Sequence, residues 1–190
     1  MLTTILAYAL VALFFFIEGR LRKGQEAQTF DAGSSDRQST SRVGSAYGIA
    51  MVSLLVAPIL NYFSIGKISY NIAGWIGFAI ALIGIVLRIS ANLTLGKFYT
   101  RTLRVLDNQS IVQQGLYRFI RHPGYLGTIL MLTGAGLAVT NWIILLLIFV
   151  TISTAYHYRI QAEEVMLLER LGQQYADYKT HTWRLLPFVY

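Results

Sequence analysis

Four long apolar blocks dominate the chain, at residues 2–17, 44–65, 70–92 and 126–156. Crossing a bilayer takes about 20 consecutive apolar residues, so the second and third blocks qualify directly. The first is shorter and ends at Glu18, followed by Arg20, Arg22 and Lys23. A cleaved leader carries its positive charge ahead of the apolar run. Here the charge follows it, which predicts an uncleaved span anchored at the interface. The fourth block has no charged residue. It is too long for one span of ordinary tilt and short for two, and Gly134, Ala135, Gly136, Thr140, Asn141 and Trp142 in its middle could turn the chain.

Basic residues decide between one span and a hairpin. If Arg20, Arg22 and Lys23 are cytoplasmic, so is the segment 93–125, which carries Lys97, Arg101, Arg104, Arg118 and Arg121. The positive-inside rule places the tail, with Arg159, Arg170, Lys179 and Arg184, on the same side. That requires an even number of crossings after residue 125, which a hairpin near residue 140 supplies. The expected fold is therefore an all-α, single-domain polytopic bundle of about five transmembrane helices. Its N-terminus lies outside, Lys67 is the one clear basic residue on the outer face, and an amphipathic helix follows the last span. Residues 1–92 supply three spans and a polar loop, 24–43, to which no chemistry is assigned. Residues 93–190 form the half expected to carry the chemistry. Gly44, Gly48, Gly74, Gly77, Ala81 and Gly84 are spaced for close helix contact within the bundle.

Only 13% of residues are charged, against about 25% in soluble domains. That excludes a disordered chain and an ordinary cytosolic globule. With no cysteine, disulfide scaffolds, thiol nucleophiles and cysteine-ligated metals are excluded too. The formal charge of +7 would suggest nucleic acid in a soluble protein. Between apolar blocks it sets orientation instead, and no nucleic acid partner is expected. His157 and His181 have no ligand-spaced companions, so no metal site is expected.

Polar residues cluster in two segments flanking the uncharged hairpin, 107–127 and 156–179, which a hairpin brings to one end of the bundle. In the first, His122-Pro123-Gly124 breaks the chain at the membrane surface, since proline keeps the preceding residue extended. In the second, Arg159, Glu163 and Met166 share a helical face with Glu164 beside it. Two adjacent carboxylates there suit a cationic ligand, although Arg159 and Glu163 could simply pair with each other. Ile160, Glu164, Leu167, Leu171, Tyr175 and Tyr178 form a mostly apolar stripe consistent with the amphipathic helix. These patterns give a small helical membrane protein with a cytoplasm-facing polar site. They do not identify a reaction.

The run G-L-Y-R-F-I-R-H-P-G-Y-L-G (115–127), followed after the hairpin by R-I-Q-A-E-E (159–164), resembles the isoprenylcysteine carboxyl methyltransferases. L-G-Q-Q-Y-A-D-Y-K (171–179) and R-L-L-P (184–187) are similar as well, so the resemblance covers roughly 95–190. Wider relatives include phospholipid N-methyltransferases. Membrane sterol reductases share R-H-P-N-Y, where this chain has Gly124. The resemblance implies S-adenosylmethionine as cofactor, with contacts at Gln109, Ser110, Ile111, Val112, Tyr117, His122, Pro123, Gly124, Tyr125 and Glu163. It makes Arg159 the catalytic residue that meets a lipophilic methyl acceptor, such as a prenylcysteine carboxylate. Thr102 stands where eukaryotic members have a glutamine. Phospholipid amines and small thiols stay open as acceptors, and an NADPH-dependent reductase or a non-enzymatic protein stays open as an alternative. A compact chain without a targeting peptide suits a prokaryotic plasma membrane.

Overall fold

The computed structural model describes residues 2–21, 36, 38–96 and 110–188. Among these, six α-helices and one 3-10 turn account for the regular structure, and no strand is present. The helices are α1 (Leu2–Leu21), α2 (Ser39–Tyr62), α3 (Asn71–Leu95), α4 (Pro123–Ala138), α5 (Trp142–Leu171) and α6 (Gln173–Thr180), with the 3-10 turn at Gly115–Arg118. Four of them, α1, α2, α3 and α5, are long and apolar enough to cross a membrane. The sixteen residues of α4 reach only about 24 Å at 1.5 Å per residue, less than the ~30 Å hydrocarbon core. It packs against α3 and α5, and the expected hairpin is α4–α5.

Successive helices alternate in direction, and contacts at both ends fix this. At one end, a Cβ added to Gly74 would meet Thr3 and Thr140, which places the start of α1, the α2–α3 link and the hairpin turn together. Asn141 organises that end. Its side-chain oxygen accepts the N–H groups of Ile143 and Ile144, capping α5. Its amide donates to Asn61 Oδ1 and the Ile65 carbonyl. The Ile68 N–H reaches the Thr140 carbonyl and the Trp142 N–H reaches that of Gly66. Asn141 is fully buried, so the turn is locked against the α2–α3 link. At the other end lie Glu18, Arg88 and the polar segments.

Small residues set the spacing of α3 and α4. A methyl on Gly77 would come within 2.4 Å of the Ala138 nitrogen, and one on Gly84 within 2.4 Å of the Met131 nitrogen. From the facing helix, one on Gly127 would sit 2.6 Å from the Arg88 nitrogen, and one on Gly134 2.4 Å from the Ala81 nitrogen. These are backbone contacts, so no side chain fits between the two helices at these points, and dispersion replaces the hydrophobic effect as the cohesive force. The expectation holds for Gly74, Gly77, Ala81 and Gly84. It fails for Gly44 and Gly48, where an added Cβ would meet nothing within 4 Å. The polar loop expected over 24–43 also ends early, because α2 has begun by Ser39.

One buried ion pair ties α1 to α3. Arg88 Nε donates to Glu18 Oε1 at 2.6 Å, and Asn92 donates to the same oxygen at 3.0 Å. Paired and hydrogen-bonded, these charges can lie inside an apolar bundle where a single one could not.

Candidate functional site

The polar end is built on a pairing that sequence periodicity does not encode. After the 3-10 turn, the Arg121 and His122 N–H groups donate to the carbonyls of Trp183 and Arg184, while the Trp183 N–H donates to the Phe119 carbonyl. This parallel bridge straps the C-terminal tail beside the start of α4. His122 lies outside the helical region (φ −124°, ψ 54°) and Pro123 opens the helix, in keeping with the bar on α conformation before proline. Gly124 then lies against α3, where a Cβ would be 3.1 Å from Arg88 Nη1.

Glu164 is the hub of this strap. It accepts from Arg121 Nε at 3.0 Å, from His122 Nε2 at 3.3 Å and from Arg184 Nη2 at 2.8 Å, with Lys179 Nζ 3.8 Å away. Since a carboxylate only accepts, the His122 contact places a hydrogen on Nε2. Arg121 Nη1 also reaches the Thr182 carbonyl. Its neighbour Glu163 stands differently. The Glu163 side chain is 25% exposed and that of Glu164 only 5%, so the two carboxylates expected to act together divide. Glu164 is consumed in holding the fold, and Glu163 keeps an accessible face.

Glu163, Tyr125, His122 and Arg159 form one array. The Tyr125 hydroxyl donates to Glu163 Oε2 at 2.6 Å and accepts from Arg159 Nε at 3.2 Å. His122 Nδ1 lies 3.7 Å from Glu163 Oε2. The His122 and Tyr125 rings stack with centroids 5.5 Å apart, and Tyr156 packs on Tyr125 at 4.8 Å. Arg159, 5% exposed, turns its other side to the start of α2, where Nη1 donates to Thr40 Oγ1 at 2.9 Å and Ser39 Oγ at 3.3 Å. Both hydroxyls donate to Asp36 Oδ1, which is 3.6 Å from Nη1. Burial pushes the Asp36 carboxyl up, but bonds from Thr40 and Ser39 and the charge of Arg159 outweigh it and hold it below the usual carboxylate range.

The other expected contacts divide by position. Pro123 and Gly124 are buried beside the array, and Tyr117 is buried with its carbonyl accepting the Tyr178 hydroxyl at 2.6 Å. Ser110, Ile111 and Val112 lie in an irregular stretch leading to the 3-10 turn and do not enter the array's hydrogen bonds among the described residues. Gln109 and Thr102 lie outside the described residues. Sequence reasoning missed Asp36, Ser39 and Thr40, which sit in a segment assigned no chemistry. It also read Tyr175 as part of an apolar stripe. That stripe is not continuous, for Gly172 at φ 54° ends α5 and redirects the chain into α6. Tyr175 is 2% exposed, and its hydroxyl is one of two buried side-chain polar atoms without a partner among the described residues. Burial foremost, then Glu164 and Glu163, holds its phenol well above the usual value, so it stays a neutral donor.

Apolar helices around a polar array at one end define an integral, multi-pass membrane protein with an end-on site. The chain belongs to the isoprenylcysteine carboxyl methyltransferase family, whose sequence profile matches residues 75–169. A probable protein-S-isoprenylcysteine O-methyltransferase of Oryza sativa is 28% identical over 63% of this chain and 64% of its own length. Protein-S-isoprenylcysteine O-methyltransferase A of Arabidopsis thaliana is 24% identical over 97% of this chain and 93% of its own. A solved structure of a eukaryotic intramembrane Ras methyltransferase, the isoprenylcysteine carboxyl methyltransferase, superposes with a TM-score of 0.68 at 29% identity. That match covers 75% of this chain and 52% of the solved one. The chain thus spans just under two thirds of the rice relative and about half of the solved structure.

Proposed function

We propose that the chain transfers a methyl group from S-adenosylmethionine to the carboxylate of a lipophilic, prenylcysteine-type acceptor at the cytoplasmic face of its membrane. The observation that carries this reading is the joining of Arg159 and Glu163 through Tyr125 at the polar end of a bundle of this family. Side chains here fit the cofactor's chemistry. A sulfonium and an ammonium call for a carboxylate with an open face, which Glu163 has and Glu164 lacks. A group rich in acceptors suits the Tyr175 hydroxyl, a buried donor without a partner among the described residues.

When bound, S-adenosylmethionine would supply an electrophilic methyl on a positively charged sulfur, which would leave as the neutral thioether; Glu163 would hold its cationic part and Arg159 the carboxylate that accepts the methyl. No proton moves, because an α-carboxyl of pKa about 3.5 is already ionised near neutrality. The protein therefore needs no general base, and its work is alignment. Glu163 orients the cation. Arg159 holds the acceptor carboxylate with its planar fork. Tyr125 keeps the two in register, with the His122 ring stacked on it and the Tyr156 ring tilted against it. The acceptor's tail stays among the apolar helices, which accounts for the membrane setting.

Two measurements on purified protein test this. S-adenosylhomocysteine should bind and NADPH should not, which separates the reading from a reductase. Labelled S-adenosylmethionine, offered with an S-prenylcysteine and with an aminophospholipid, should put label into a base-labile methyl ester. Label in the lipid amine, or NADPH binding without S-adenosylhomocysteine binding, overturns the reading.

A further inference from the structure

Arg159, the residue assigned above to the acceptor carboxylate, already faces a carboxylate of its own chain. Asp36 Oδ1 lies 3.6 Å from Arg159 Nη1. The two are also linked by a pair of hydroxyl relays, in which Nη1 donates to Ser39 and Thr40 and each hydroxyl donates to Asp36 Oδ1 at 2.9 and 2.8 Å. Asp36 Oδ2 accepts the Thr40 N–H at 3.1 Å. Asp36 is 4% exposed and Arg159 5%.

We propose that Asp36 is an internal substitute for the acceptor carboxylate, occupying Arg159 until the acceptor displaces it. The inference rests on the reading of Arg159 as the acceptor-holding residue. Charge compels it. Asp36 already balances this one guanidinium at 3.6 Å, whereas Glu163, linked to it only through Tyr125, is matched by the cofactor's cation. A further carboxylate in a water-poor site would meet like-charge repulsion that water cannot screen. The incoming carboxylate therefore takes Asp36's place. Ser39 and Thr40 need only rotate their hydroxyl hydrogens to follow it. Two consequences follow for selectivity and turnover. A neutral head group has no charge with which to displace Asp36, so the site selects ionised acceptors. Methylation removes the acceptor's charge, after which Asp36 recaptures Arg159 and helps to release the ester.

The test is acceptor kinetics on Asp36→Asn and Asp36→Glu in the full-length protein in lipid, with an S-prenylcysteine as acceptor and its uncharged carboxamide as competitive inhibitor. Asp36→Asn removes the competing charge, so the acceptor KM should fall about tenfold, a modest share of what a like charge at this distance exerts. Asp36→Glu keeps the charge and should stay near the wild-type KM. The carboxamide inhibition constant and S-adenosylhomocysteine affinity should remain within about twofold, since neither depends on Asp36 leaving. If Asp36→Asn does not retain that affinity, Asp36→Ser carries the same expectation, because its hydroxyl can still accept from Thr40. An acceptor KM at or above wild type, in whichever variant binds S-adenosylhomocysteine normally, overturns the proposal and leaves Asp36 as a stabiliser of α2. Failure of the underlying reading looks different, because the wild-type protein would then bind S-adenosylhomocysteine yet methylate no carboxylate.

Discussion

Tyr125 donates its hydroxyl hydrogen to Glu163 at 2.6 Å while the same oxygen accepts from Arg159. One side chain on α4 thereby couples two charged residues a helical turn apart on α5. The expected outcome for Tyr125→Phe follows from its geometry. The ring still stacks on His122 and packs against Tyr156, so the fold is kept. Two partners lose a hydrogen bond in a buried site, at about 1–3 kcal/mol. Cofactor-analogue affinity and turnover should both fall, with a drop of a few degrees in melting temperature. Calorimetric titration alongside methyl-transfer rates checks this, and an unaltered affinity and rate would dissolve the coupling.

The adjacent glutamates should separate cleanly on substitution. Glu163→Ala should weaken S-adenosylhomocysteine binding by about 1.5–3 kcal/mol, the scale of a hydrogen bond to a charged group. Glu164→Ala should instead unfold the polar end. It strands Arg121, His122 and Arg184, and breaking a buried pair costs about 3–5 kcal/mol. Thermal melting of both variants in one detergent distinguishes them. Equal melting temperatures would contradict the division of roles.

Arg159→Lys keeps the positive charge and loses the planar fork that can meet a carboxylate and two hydroxyls at once. Methyl transfer to a carboxylate acceptor should fall more than about tenfold, while cofactor-analogue affinity changes little because Glu163 stays. Parallel loss of both would make Arg159 a prop for Glu163 and remove its acceptor role.

Packing predictions concern α3 and α4. Gly84→Ala places a methyl 2.4 Å from the Met131 nitrogen, where only backbone movement can relieve the clash. Overpacking of this kind costs about 1–3 kcal/mol. Gly48→Ala meets nothing within 4 Å and should be neutral or slightly stabilising. Comparing their melting temperatures is sufficient, and equal values would refute the close-contact account.

Orientation can be read by labelling, since the chain has no cysteine to interfere. Asn141 is unsuitable, being fully buried and bonded on both sides of its amide. Lys67→Cys and Glu169→Cys lie at exposed positions at opposite ends of the bundle. Impermeant reagent should label the first from outside the cell and the second only after lysis. Labelling of both from one side would refute the odd number of crossings between them that the expected five-helix topology requires.

What the sequence determined by itself was the membrane, the hairpin and the pair of polar segments. Those follow from patterns that a linear chain displays, namely apolar length, basic flanks, and a proline that forces His122 out of the helix. The hairpin followed from counting charge on either side of an uncharged block, and Asn141 and Thr140 turn the chain where that count required. Tertiary structure alone decided which charges are free. Glu163 and Glu164 are indistinguishable as neighbours in sequence, and only the tail strapped along Phe119–His122 brings Arg184 onto one and leaves the other open. Asp36 and Arg159 are likewise more than a hundred residues apart in the chain. No periodicity links a polar connector to a distant arginine, because a charge's partner is set by which helices pack together, and that depends on the summed fit of glycine-lined backbones rather than on any local pattern.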